Sequence, residues 1–225
     1  MLSKLLDVIR PFHADSKLFF PAMQATFAKG SEGMRLIERA YRVAETAHLG
    51  VIRATGENYL THPCMSAIIL NIYGGIDDPE IIGGVLDHDV EEDHGDLWPH
   101  DRLVIEVSAA VAEIASWCNK HRFDILPVSE DERELLFLQN LLMSAPRAVG
   151  LVKIAEQLHN CITPWEKKLA DERWRTRKVL LARTIYAMLA KKHGFLYHEL
   201  LAAADALERK ECLLPSVKIA VTSLE

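Results

Sequence analysis

Apolar positions along the chain recur every three or four residues far more often than every second residue. Met34, Ile37, Tyr41, Ala44, Ala47 and His48 fall on one face of a helix by that spacing. Asp78-Pro79 marks a helix start, with Asp78 as cap and Pro79 in the first helical position. The helix it opens is predicted to run on through IIGGVLDHDVEED, residues 81–93. Ser129 with Glu132 forms a capping box ahead of LLFLQNLLM. Pro146 opens a helix carrying RAVGLVKIAEQLHN, and Gly194 closes a long helical segment that begins near Ala170. A last helix starts near Tyr197 and ends before Pro215. The opening MLSKLLDVIRPFHADSK also reads as a helix: Asp7 and Arg10 interrupt its apolar stretch and no small-residue cleavage site follows. Asn-Gly turns and sustained alternation are missing. The pattern predicts an all-α fold, one domain over 1–225, with its core at about 30–200 and helical extensions at both ends.

Composition narrows the function. The chain is 225 residues long, 49% hydrophobic and 26% charged, an ordinary globular balance. A formal net charge of −6 with no Lys/Arg run speaks against a nucleic-acid partner. A small phosphorylated ligand still fits an acidic protein where a metal and a few basic side chains gather. Cys64, Cys118, Cys161 and Cys212 are scattered with no C-x-x-C pair, and read as reduced thiols. No apolar run approaches the roughly 20 residues of a membrane span. The expectation is a cytoplasmic protein with no membrane partner.

The chemistry concentrates in three segments: HLGVIRATGENYLTHP (48–63), LDHDVEED (86–93) and KIAEQLHN (153–160). Within one continuous helix, Glu92 would lie a turn after His88 and Asp93 a turn after Asp89, forming one polar patch. Five acidic side chains between Asp87 and Asp93 repel one another unless a cation sits among them. A divalent metal would relieve that repulsion; a solvated acidic helix end is the competing reading of this segment alone. His62, just before Pro63 at a predicted helix start, adds an imidazole. Imidazole with carboxylate suits Mn, Fe, Zn or Co better than Ca or Mg.

In order along the chain, H-x-G, R-x-T-G-E-x-Y-x-x-H-P, L-x-H-D-V-x-E-D and K-x-A-x-x-L-H-N resemble the hydrolase domain of RelA/SpoT-type proteins, over about residues 34 to 200. The resemblance implies an HD-domain helical phosphohydrolase fold and metal-dependent removal of the 3′-pyrophosphate from the guanosine alarmones ppGpp and pppGpp. It implies His62, His88 and Asp89 as ligands of a divalent metal, usually Mn²⁺, and Glu92 and Asp93 as the acidic pair that handles the attacking water. Arg53 matches an arginine that packs on guanine, Thr55 a polar residue of the same loop, and Asn160 and Thr163 residues near the ribose. Basic residues among Arg173, Arg175, Arg177 and Lys178, with Arg173 and Arg177 foremost, are implied to face the phosphates. The chain departs from the family pattern at Glu156, where a fourth aspartate ligand is usual, at Asn58, where a proline is usual, and in HGDLWPHDRLVIEV after Asp93. His94, His100, Trp98, Trp165 and Trp174 are expected to pack or lie at the surface. These departures keep two alternatives open: the same fold acting on another nucleotide, such as an adenosine alarmone or NADPH, or a decayed nucleotide-binding protein. The resemblance implies hydrolysis without the synthetase activity of the long family members.

Overall fold

The computed structural model describes residues 1–53, 56–164 and 166–215. Among these residues it is all α, with no strand beyond the isolated bridge Ile52–Asn58. In order the helices are α1 (Leu2–Ala14), α2 (Phe19–Thr26), α3 (Glu32–Ala47), α4 (Thr61–Ile68), α5 (Pro79–Leu86), α6 (Val90–His94) and α7 (His100–Glu106). They continue as α8 (Ala109–Cys118), α9 (Glu130–Ser144), α10 (Arg147–Ile162), α11 (Glu166–Ala170), α12 (Glu172–Leu181), α13 (Ala187–His193) and α14 (Tyr197–Glu208). α4 runs on into a π turn at Ile69–Tyr73, and another π turn, Ala182–Tyr186, joins α12 to α13 in one long rod. No helix is long and apolar enough to cross a membrane among the described residues.

The expected cap at Asp78 forms, its Oδ1 accepting from Glu80 N at 2.9 Å. Two more appear in the structure: Ser31 Oγ accepts from Met34 N at 3.1 Å and Asp171 Oδ1 from Trp174 N at 3.0 Å. Ser129 and Glu132 make the reciprocal box. Gly194 ends the rod in the left-handed region, φ 64°, where a Cβ would be strained. Cys64, Cys118 and Cys161 are buried thiols outside any disulfide.

α10 is the central post. Thirteen of its sixteen residues are buried, and α4, α5, α8, α13 and α14 pack around it. A helix buried on every side should be apolar throughout, yet this one buries Lys153, Glu156, Gln157 and His159. α5 wedges between α3 and α8 through its two glycines. A Cβ on Gly83 would stand 2.8 Å from Leu36 and Val111, and one on Gly84 2.6 Å from Ile114. The N-terminal helix folds back on the body: α1 packs on α4 and α14, and His13 Nε2 meets Pro215 O at 3.1 Å.

One predicted element is corrected. The helix read through residue 93 breaks: α5 ends at Leu86 and α6 begins at Val90. His88 causes the break locally, because its Nδ1 donates to Val85 O at 2.7 Å, and that is the carbonyl the Asp89 N–H would need to continue the helix.

Candidate metal centre

The break at 87–89 sets the site. It places His88 and Asp89 in a tight turn instead of on a helix flank, and it moves Glu91, Glu92 and Asp93 into the first turn of α6. Acidic groups there meet the positive end of the helix dipole. The charge run that looks costly at the end of a long helix is therefore well placed.

His62, near the start of α4, faces this turn. One ligand atom from each of His62, His88 and Asp89 lies within 4.8 Å of the others. The Val85 bond puts a proton on His88 Nδ1, so its buried Nε2 is the nitrogen turned toward Asp89. It stands 3.0 Å from Asp89 Oδ2. His62 turns its Nδ1 away, to His159 Nδ1 at 2.7 Å, which leaves Nε2 for the cluster. Tyr59 donates its hydroxyl to Asp89 Oδ2.

Electrostatics follow from this packing. Burial would raise the Asp89 carboxyl, but the His88 charge and hydrogen bond hold it well below the usual range. Burial would lower His88, and the adjacent Asp89 reverses the shift upward. His62 is pushed well below the usual imidazole range by burial and by the nearby Arg53 charge. A neutral His62, an inward Nε2 on His88 and an ionised Asp89 form a donor set for a borderline divalent cation. The residues fit a metal.

Comparison with known proteins supports the same reading. No protein-family model matches the chain. It is 30% identical over 161 residues, 72% of this chain, to a GTP pyrophosphokinase of Streptomyces coelicolor, of which it covers 18%. It is 32% identical over 154 residues, 68% of this chain, to a guanosine-3′,5′-bis(diphosphate) 3′-pyrophosphohydrolase of Haemophilus influenzae, of which it covers 22%. The chain thus spans about a fifth of the length of these curated relatives. Its fold superposes on the solved structure of a metazoan SpoT ortholog described as hydrolysing ppGpp, with a TM-score of 0.63 at 18% identity over 83% of this chain and 99% of the other. The chain is a RelA/SpoT-type HD domain.

The HD domain holds the remaining site residues in two groups. Glu156 is not drawn into the three-residue cluster. Its Oε2 is 2.5 Å from Lys153 Nζ, and its Oε1 accepts from Gln157 and Asn160 at 2.9 Å each. Burial would lower Lys153, but the Glu156 charge raises it well above the usual amine range. Asn160 also accepts from Arg53 Nη2 at 3.2 Å. Arg53 Nη1 lies 3.6 Å from Glu57 Oε2, and His13 Nε2 lies 3.6 Å from Glu57 Oε1. The N-terminal helix therefore reaches the wall of the site through His13.

Glu92 and Asp93 part company. Glu92 is tied to Lys120, through both the backbone N–H at 3.0 Å and the ammonium. Asp93 stays open to solvent, and burial together with the Asp89 and Glu92 charges raises its carboxyl. Thr163 caps α10 and donates to His159 O at 2.7 Å. Arg173 is exposed and Arg177 pairs with Glu134 of α9, while Arg175 donates to Leu169 O. Lys178 is pushed down by burial, against the nearby Glu156 charge. Thr55 and Trp165 lie outside the described residues. His94 meets His48 Nδ1 at 3.2 Å, and Trp98 is buried beneath Arg102, 3.8 Å from its ring centroid.

Tyr59, Lys153 and His159 carry no role in the sequence reading, although each stands in a quoted motif. The signal was present on α10: positions 153, 156, 159 and 160 share one helical face, a polar stripe inside an otherwise apolar segment.

Proposed function

We propose that this domain hydrolyses the 3′-pyrophosphate of ppGpp and pppGpp, leaving GDP or GTP and releasing pyrophosphate. The inward-facing His62–His88–Asp89 cluster beside the solvent-open Asp93, in an HD fold, carries this reading. The named activity of the Haemophilus influenzae relative supports it. A divalent transition metal, Mn²⁺ in our reading, would be held by His62, His88 and Asp89, with Glu156 joining if its carboxylate exchanges Lys153 for the ion. When bound, such an ion lowers the pKa of a water and offsets charge on the diphosphate.

The chain's own groups divide the remaining work. Asp93 accepts a proton from the attacking water, and Glu92, anchored by Lys120, orients that water. The water oxygen bonds to the phosphorus on the ribose 3′ oxygen; that P–O bond breaks, and the 3′ oxygen ends protonated. Arg53 offers a flat cation to the purine face, held in place by Glu57 and Asn160. Asn160 and Thr163 border the ribose. Thr55, Arg173, Arg177 and Lys178 complete the substrate set, the basic members facing phosphate oxygens.

The test is turnover of ppGpp by purified protein with Mn²⁺, with excess EDTA, and by Asp89→Ala. The reading expects turnover that EDTA abolishes and that Asp89→Ala reduces by at least about 10²-fold, the scale of losing a catalytic group. Undiminished turnover in EDTA would refute the metal-centred reading.

A further inference from the structure

His159 sits in the middle of α10 with its ring fully buried. Among the described residues, the ring makes one hydrogen-bond contact, Nδ1 to His62 Nδ1 at 2.7 Å, and its Nε2 has no partner. A buried imidazole in an apolar wall costs free energy unless its polar atoms pair, so this single contact calls for an explanation beyond filling space.

Two ring nitrogens at that distance share one proton: one donates and the other accepts. The direction decides what His62 can do. With the proton on His62 Nδ1, its Nε2 is a bare lone pair facing His88 and Asp89. With the proton on Nε2, that edge is blocked to a cation. The His88 arm resolves the same choice through Val85 O, which can only accept and so fixes the proton on His88 Nδ1. His159 stands in the His62 arm where Val85 O stands in the His88 arm. The tilted rings, with centroids 4.9 Å apart, bring the two Nδ1 atoms edge to edge.

We propose that His159 is a positioning residue for the metal centre: its Nδ1 accepts from His62 Nδ1–H and holds His62 in the tautomer and ring orientation whose Nε2 can ligate. Outer partners of ligating histidines act in this way, fixing the tautomer and raising ligand basicity. The inference rests on His62 being a ligand, as proposed above, and assigns a residue that contacts neither substrate nor metal.

Two variants separate a hydrogen-bonding role from a packing role. In His159→Asn the amide oxygen can stand close to the position of Nδ1 and accept the same bond; His159→Leu fills the volume with no acceptor. Mn²⁺ affinity is read by electron paramagnetic resonance of the free ion, and the His62 tautomer of the metal-free protein by long-range ¹H–¹⁵N spectra. Circular dichroism checks folding. The expected result is Mn²⁺ binding by the wild type, affinity weakened about 10–100-fold in His159→Leu, and affinity within a few-fold of wild type in His159→Asn. His62 should carry its proton on Nδ1 in the wild type and in His159→Asn. Equal affinity in all three proteins would overturn the proposal and leave the metal reading standing. So would His62 protonated on Nε2 in the metal-free wild type and unchanged in both variants. A wild type that takes up no Mn²⁺ would defeat the metal reading itself, and this proposal with it.

Discussion

Asp93 and Glu92 are neighbours with opposite surroundings. Glu92 spends its carboxylate on Lys120, at both backbone and side chain. Asp93 lies open beside Tyr59 and Asp89 with its carboxyl raised by burial and like charge, which suits a group that must take up a proton. Asp93→Asn should therefore lower kcat by about 10²–10⁴-fold, and Glu92→Gln by clearly less. Steady-state kinetics on both variants checks the division, and the reverse order would exchange the two roles. His48 offers a second test at this scale. Burial, with the His94 charge, holds its imidazole down at about 4, against 6.5 for the free side chain. The folded protein keeps His48 neutral while the unfolded chain takes up a proton near pH 6.5. Stability from this group is thus complete above pH 6.5 and is lost as pH falls toward 4, by at most about 3 kcal/mol. Urea midpoints in EDTA should fall between pH 7.5 and 5.0, and His48→Gln should flatten that slope. Identical slopes in the two proteins would contradict the assignment.

At the level of elements, the placement of the centre depends on how closely α5 approaches its neighbours. Gly84 lets α5 press on α8, and the His88–Asp89 turn hangs from its end. Gly84→Ala forces three atoms of Ile114 to move. Overpacking of this kind costs about 1–3 kcal/mol, so the melting temperature should drop; an unchanged melting temperature would mean that Ile114 yields freely. Helix starts were the most legible feature of the sequence, because Asp78 and Ser129 cap by local bonds that need no tertiary partner. The break after Leu86 was not legible. It follows from one side-chain-to-carbonyl bond, His88 to Val85, while the apolar spacing runs through it unchanged. The same continuity hid why acids gather there, since Glu91, Glu92 and Asp93 open a helix and do not end one. On α10 the motif gave Glu156 and Asn160 their places, yet the Lys153 pair that occupies Glu156 depends on a rotamer no spacing encodes.

Across the whole molecule, the all-α fold class was readable from the helical spacing, and the order of the motifs pointed to His62, His88 and Asp89, which α4 and the turn after α5 bring together. The reach of the N-terminal helix was not readable. His13 meets Glu57 and Pro215 O through contacts spanning 44 and 202 residues of sequence, so α1 and the segment after α14 meet beside the wall that holds Arg53. In the proposed reaction this arrangement cleaves one particular bond, between the ribose 3′ oxygen and its phosphorus. The direct measurement is to incubate the protein and Mn²⁺ with ppGpp, its adenine analogue and NADPH in separate reactions, and to resolve all products by anion-exchange chromatography. We expect GDP and intact pyrophosphate from ppGpp in equal amounts, at a rate well above that on the other two. Unchanged ppGpp in the presence of bound metal, or faster conversion of the adenine analogue or NADPH, would contradict it.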